Sequence, residues 1–194
     1  MMLFSGFDLD HVQIATLQQW VEQLAVNYGV EFVPGRQAHL TIHYFGKDIT
    51  PEQRDTIIVP VYTDLIQSSG ITPFDVGIQP TAKLFGKEED LVVLALNIPA
   101  PARAFAEKAR FLIMQADASI RPPDFMVFEP HLTLGTLKES DPAKRQAFLQ
   151  HLQHSLTEVE STLNNYASYV DRVILFSNPP IGSSEYTHDT ELMF

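Results

Sequence analysis

The chain has 194 residues, 45% of them hydrophobic and 10% aromatic, enough apolar material for a packed core and too much for a disordered segment. Lys and Arg number 13 against 24 Asp and Glu, and the formal net charge of −11 repels a long polyanion, which argues against a protein that coats or tracks nucleic acid. The absence of cysteine excludes disulfides, thiol nucleophiles, Cys-ligated zinc and iron–sulfur clusters.

The opening MMLFSGFDLDHVQ lacks a basic segment, and Asp8 and Asp10 interrupt its apolar start, so no export signal is expected. No apolar run reaches the roughly 18 residues of a membrane span. The expected protein is soluble, cytoplasmic and monomeric. MLFSGFDL reads as a strand, and HVQIATLQQWVEQLAVNYG as an amphipathic helix with Ile14, Leu17, Val21 and Leu24 at spacings of three and four and a stop at Gly29. HLTIHYF, from His39, alternates as a strand with His39, Thr41 and His43 on one face and Leu40, Ile42 and Tyr44 on the other. Thr50 caps a helix whose first position is Pro51, and Pro60 must kink or split that helix. FDVGIQPTAKLF and DLVVLALNI are strands around the turn-like GKEED.

The scheme then repeats. PARAFAEKARFLIMQADA puts Phe105, Ala109, Leu112, Ile113 and Ala116 on one helical face, and RPPDF ends it. FEPHLTLGTL is a strand entered through Pro130, and DPAKRQAFLQHLQHSLTEV is a helix capped by Asp141 with Pro142 at its first position. YVDRVILFS and EYTHDTELMF close the chain as a strand pair around NPPIGSS. Helix, motif strand, helix, strand, strand thus occurs twice with no linker between, and residues 1–194 read as a single domain of two lobes.

His-Leu-Thr followed by a branched aliphatic occurs twice, at His39 and at His131. On a strand, residues two apart share a face, so each copy presents an imidazole beside a hydroxyl. Either histidine alone fits equally well as a hydrogen-bonded core residue; two on matched strands point to chemistry. Facing each other across a cleft, they suit a phosphodiester. A neutral imidazole takes a proton from the attacking oxygen, a protonated one gives a proton to the leaving oxygen, and Thr41 and Thr133 hydrogen-bond the phosphoryl oxygens. Neither a metal nor another cofactor is needed. A zinc site on His39 and His43 is disfavoured, because four residues of strand span about 13 Å. Arg36 is a candidate phosphate contact or a solvated loop residue, and His43 a candidate contact at the mouth of the cleft or a partly buried residue. Tyr44, Phe45, Phe125 and Phe128 flank the motifs; core packing is the default for all four, and one could stack on a base, with Tyr44 and Phe128 the candidates. Lys83, Arg103, Lys108, Arg110 and Arg121 are further cations that three dimensions could bring together. His151 and His154 are assigned to a solvated helix face.

These motifs resemble those of the 2H phosphoesterase superfamily, in particular its 2'-5' RNA ligase-like group. HLTIHYFG is similar to that group's His-apolar-Thr-Leu-x-Phe-Leu-Gly, FEPHLTLG to its Phe-x-Pro-His-apolar-Thr-Leu, and VILFSNPPIGSSEYTHDTELMF to its closing segment. His43 departs from the pattern, standing where the group has a small residue. The resemblance implies an α+β fold of two pseudo-symmetric lobes, each an antiparallel sheet backed by helices, around a central cleft, with His39, Thr41, His131 and Thr133 as the catalytic set. It implies a phosphoesterase acting on a 2',3'-cyclic phosphate, a 2'-5' phosphodiester or a cyclic (oligo)nucleotide; the ligand is then a nucleotide, a short RNA end or a cyclic oligonucleotide. The alternative is a catalytically silent module of the same fold that binds a nucleotide or an RNA end.

Overall fold

The computed structural model describes residues 1–35, 37–86, 88–120, 128–163, 165–177 and 186–194. Strands β1 (Leu3–Asp8), β3 (His39–Gly46), β8 (Arg172–Ser177) and β9 (Thr187–Met193) form an antiparallel sheet in the order β3-β1-β8-β9. Strands β2 (Phe32–Pro34), β4 (Phe74–Phe85), β5 (Leu91–Asn97), β6 (His131–Leu137) and β7 (Ala167–Val170) form a second, in the order β2-β6-β5-β4-β7. The chain runs from β2 at the edge of the second sheet straight into β3 at the edge of the first. The two motif strands β3 and β6 are therefore neighbours where the sheets meet.

The lobes are not the two halves of the sequence. The first sheet takes two strands from each end of the chain, while the middle of the chain and β2 supply the second. The stretch YVDRVILFS, expected to be one strand, is divided at Asp171, so that β7 joins the second sheet and β8 the first. The short strand β2 has no counterpart among the expected elements; three residues carry too little alternation to stand out.

Helices cover the sheets. Asp10 caps α1 (His11–Asn27) by accepting from the Val12 and Gln13 amides at 3.0 Å each, and Gly29 ends it with φ +62°. Thr50 and Gln53 form a reciprocal capping box at α2 (Pro51–Gln53). The expected break at Pro60 is a widening: residues Arg54–Ile58 are π-helical, and α3 (Val59–Ser69) resumes with Pro60 in its first turn. Proline removes a backbone donor and crowds the preceding turn, and the π segment absorbs both. Helix α4 (Ala100–Ala116) buries Ala102, Phe105, Ala106, Ala109, Arg110 and Ile113. Leu112 is half-buried and Ala116 is exposed, so the buried face is rotated from the one the sequence suggested.

Asp141 caps α5 (Pro142–Glu158) as expected. Gln153 of that helix mends a bulge in β4, accepting from the Ala82 amide (2.9 Å) and donating to the Pro80 carbonyl (2.6 Å). The short α6 (Glu160–Leu163) leads into β7. One hydrophobic cluster runs under both sheets, from Leu3, Phe7 and Leu40 to Leu94, Leu132 and Phe148. Among the described residues, no helix is long and apolar enough to cross a membrane. The break in α4 at RPPDF and the NPPIGSS turn lie outside the described residues.

Candidate active site

Both motif strands have the same burial sequence from their histidine onward: half-buried, buried, half-buried, buried, buried, half-buried, buried. Simple alternation fails at the fifth residue, and the strand pairing shows why. On β3, Thr41 lies opposite Gly6 and His43 opposite Ser5, leaving Ile42 unpaired. On β6, Thr133 lies opposite Val93 and Gly135 opposite Val92, leaving Leu134 unpaired. Each motif thus carries a β-bulge directly after its threonine. A one-residue slip sends every later side chain to the other face.

The bulge corrects two expectations. His43 does not share a face with His39 and Thr41. It turns to the core side, is 1% exposed, and lies 4.8 Å from the Phe45 ring at a tilt of 34°. Tyr44 takes its place on the cleft face, beside Phe4, Phe176 and Tyr186. At the matching position of β6 only glycine fits, because a Cβ on Gly135 would lie 2.3 Å from the Val33 carbonyl and 2.5 Å from the Phe32 ring. Strand β3 is a sheet edge with no strand paired on its outer side among the described residues, and a side chain as large as imidazole is accommodated at His43.

The two imidazoles are held alike. His39 Nδ1 is 2.9 Å from the Gln37 carbonyl, and His131 Nδ1 is 2.8 Å from the Glu129 carbonyl. A carbonyl only accepts, so each Nδ1 carries a hydrogen and each Nε2 remains for proton transfer. Aromatic rings fix both planes. His39 lies against Phe4 (4.9 Å), Phe176 (5.4 Å) and the edge of Tyr186 (5.9 Å), and His131 against Phe85 (4.4 Å). Thr41 and Thr133 stand beside their histidines, half-buried on the same face. Opposite Thr41 is Gly6, where any side chain would strike the Leu40 carbonyl at 2.7 Å; its bare backbone keeps the floor of the cleft open.

The surroundings separate the two histidines electrostatically. Burial, and to a lesser degree the nearby His131, lower the His39 pKa from the ordinary 6.5 to about 4. Burial also lowers the His131 pKa, and Lys83 adds to the fall, while the Glu129 carbonyl and carboxylate oppose it. Lys83 pairs with Glu129 and sits over the Phe85 ring at 5.7 Å. Next to His131 is a cavity of about 330 Å³ lined by Lys83, Arg103, Glu129 and Phe128. Of the cations singled out from the sequence, Lys83 and Arg103 therefore come together, Lys108 is exposed, and Arg110 is buried with its guanidinium 5.7 Å from the Phe128 ring. Phe128 forms part of the cavity wall, but its ring is 3% exposed and belongs to the core. Arg36, Arg121 and Phe125 lie outside the described residues. His154 is exposed, whereas His151 is half-buried and lies against the Tyr28 ring at 4.6 Å, tilted by 36°. Among the described residues, no group of three or more His, Cys, Asp or Glu is placed to hold a metal ion.

Sequence reasoning missed Phe4, Phe85, Phe176 and Tyr186 as neighbours of the histidines. Their partners are remote in sequence, and only the pairing of β1 with β3 and β8, of β8 with β9, and of β5 with β4 and β6 brings them in.

No family model and no curated relative matches the chain. Solved structures do. TT0787 of Thermus thermophilus aligns at 19% identity with a TM-score of 0.65, covering 100% of this chain and 97% of its own. Escherichia coli LigT complexed with phosphate aligns at 15% identity and TM-score 0.63, covering 99% and 96%. Kluyveromyces marxianus Usb1 aligns at 14% identity and TM-score 0.59, covering 100% and 97%. The chain shares the two-sheet α+β fold of these solved structures.

Proposed function

We propose that the protein is a 2H-type phosphoesterase that opens a 2',3'-cyclic phosphate, a 2'-5' phosphodiester or a cyclic (oligo)nucleotide with one histidine taking a proton from the attacking oxygen and the other giving one to the leaving oxygen, without a metal, and that residues 1–194 act as one bilobal unit. The observation that carries this reading is the matched pair of imidazoles, each fixed by a backbone carbonyl at Nδ1, each beside a threonine hydroxyl, on adjoining strands. His39, the more strongly held neutral, is the general base. Its Nε2 takes the proton of the attacking water or hydroxyl as the new P–O bond forms. His131, beside the carboxylate of Glu129, is the general acid, and its Nε2–H protonates the leaving ribose oxygen as the old P–O bond breaks. Thr41 and Thr133 donate to the phosphoryl oxygens as charge gathers there.

Structures of E. coli LigT with phosphate and with 3'-AMP, and of K. marxianus Usb1 with uridine monophosphate, agree with a cleft of this fold that takes nucleotides. Tyr44 and Tyr186 offer faces to a base on the His39 side. Lys83 and Arg103 offer charge to the group that enters the cavity beside His131. The test is a panel of 2',3'-cyclic nucleotides, 2'-5' and 3'-5' dinucleotides and cyclic oligonucleotides assayed in chelator. Turnover of at least one class, abolished by His39→Ala and by His131→Ala, is expected. Binding without turnover across the panel would replace this reading by that of a silent nucleotide-binding module.

A further inference from the structure

Tyr186, directly ahead of β9, lies 5.9 Å from the His39 ring. The Tyr186 ring meets Phe4 edge-on at 4.9 Å, and the Tyr186 backbone amide donates to Gln37 Oε1 at 3.2 Å. A backbone N–H only donates, so that end of the Gln37 amide is the oxygen, and Gln37 Nε2, which only donates, is the end 3.0 Å from His188 Nε2. His188 Nε2 must then offer a lone pair, and the ring's hydrogen sits on Nδ1. That atom lies 3.0 Å from Glu191 Oε1, an acceptor. The remaining Glu191 oxygen accepts from Arg172 Nη1 at 2.6 Å, and Arg172 Nε donates to Asp171 at 2.7 Å. A single assignment of donors and acceptors satisfies the whole chain, and it requires His188 to be neutral.

Gln37 is also the residue whose backbone carbonyl orients the His39 ring. Its side chain is clamped by His188 and Tyr186 while its backbone holds His39. The Phe176 ring touches both imidazoles, at 5.4 Å from His39 and 5.2 Å from His188. We propose that His188 is a positioning residue for His39, acting through Gln37, and that it acts only as the neutral imidazole with its hydrogen on Nδ1. Protonated, His188 would turn an N–H toward the Gln37 amide hydrogens, two donors would face each other, and the clamp would open. The charged groups that face His188 are Glu191 on its own strand, Arg172 and Asp171 from β8 and its approach, and Asp8 and Asp10 across a shared cavity of about 370 Å³. The catalytic consequence rests on His39 being the reacting imidazole; the coupling of the two rings does not.

The experiment follows imidazole nitrogen signals by NMR through a pH series, alongside kcat and KM, in the wild type, His188→Gln and Gln37→Glu. In the wild type, the His39 signals should hold their Nδ1–H pattern while His188 is neutral and broaden as His188 titrates. Over the same interval kcat should fall by about tenfold or more with KM nearly unchanged, the signature of a misplaced group rather than lost binding. His188→Gln presents a non-titrating carbonyl oxygen to Gln37 Nε2, so the limb that follows His188 disappears. Gln37→Glu needs a donor at position 188, so the dependence reverses and His39 is ordered only when His188 is protonated. His39 signals indifferent to the state of His188, or a His188→Gln profile with the same limb, would overturn the proposal. Coupled NMR titrations in a protein that turns over no phosphodiester would support the coupling and reject the phosphoesterase reading.

Discussion

Burial of His39 makes stability depend on pH in a window that can be worked out beforehand. In the unfolded chain the imidazole titrates at its ordinary 6.5, and in the fold at about 4. Between those values the unfolded state binds more protons than the native one, so stability rises with pH through the window; it is lost as pH falls from 6.5 toward 4, and levels off below. At about 1.4 kcal/mol for each tenfold step, the gap is worth at most about 3 kcal/mol, and less in practice because the ring is only half-buried. The assay is denaturant unfolding of the wild type and of His39→Gln from pH 8 to pH 4, with the His39 titration followed directly by NMR. Subtracting the two curves removes the other titrating groups and leaves the His39 contribution. The difference should be flat above about pH 7 and should fall by about 2–3 kcal/mol across the window. A flat difference throughout, or a His39 signal titrating near 6.5, would refute both the desolvation argument and the assignment of His39 as the base.

His39→Ala and His131→Ala should each lower turnover by about 10²-fold or more in folded protein, and the double variant should lose little beyond the worse single, since the two act as one unit. His131→Ala should raise the His39 pKa, because a like charge is removed, and an NMR titration checks the direction. Activity should survive exhaustive chelation; restoration by added zinc or manganese after loss in chelator would contradict the two-histidine reading. With a net charge of −11, the logarithm of affinity should fall with the logarithm of salt at a slope of about −1 to −2, and a dinucleotide should bind nearly as well as a twenty-nucleotide RNA; a several-fold steeper slope for the long RNA would reveal a basic groove. Gly135→Ala should cost about 3 kcal/mol, a fall in Tm of about 6–12 °C, because the added carbon meets a backbone carbonyl and a packed ring.

Much of the site was legible because both motifs use short-range rules. Alternation placed His39 with Thr41 and His131 with Thr133, and caps at Thr50 and Asp141 fixed two helix starts. Legibility ended at Ile42 and Leu134. A bulge is decided by the partner strand, and nothing in HLTIHYF marks the extra residue; in HLTLGTL the residue that follows the bulge is glycine because Phe32 of β2 occupies the space. The division of YVDRVILFS was hidden for a similar reason: its apolar pattern suits one strand, and only the separation of β4 from β1 sends its two parts to different sheets.

A repeated motif by itself would supply two equivalent imidazoles, and two equivalent imidazoles make a poor acid and base pair, since the reaction needs one neutral and one charged at the same pH. The inequality comes from outside the motifs. His39 is covered by Phe4 of β1, Phe176 of β8 and Tyr186 ahead of β9, so aromatic surface surrounds it, and the charge of a protonated His131 adds to the bias against its protonation. His131 has one ring, Phe85; burial lowers its pKa, its bond to the Glu129 carbonyl opposes the fall, and the charges of the neighbouring Lys83–Glu129 pair act on it in opposite senses. The first sheet can enclose His39 because it draws β8 and β9 from the far end of the chain, and this interleaving of the termini is what gives the two imidazoles of a duplicated element different surroundings. It follows that substitutions at Phe176 or Tyr186, outside both motifs, should move the His39 titration toward the ordinary value while leaving that of His131 in place.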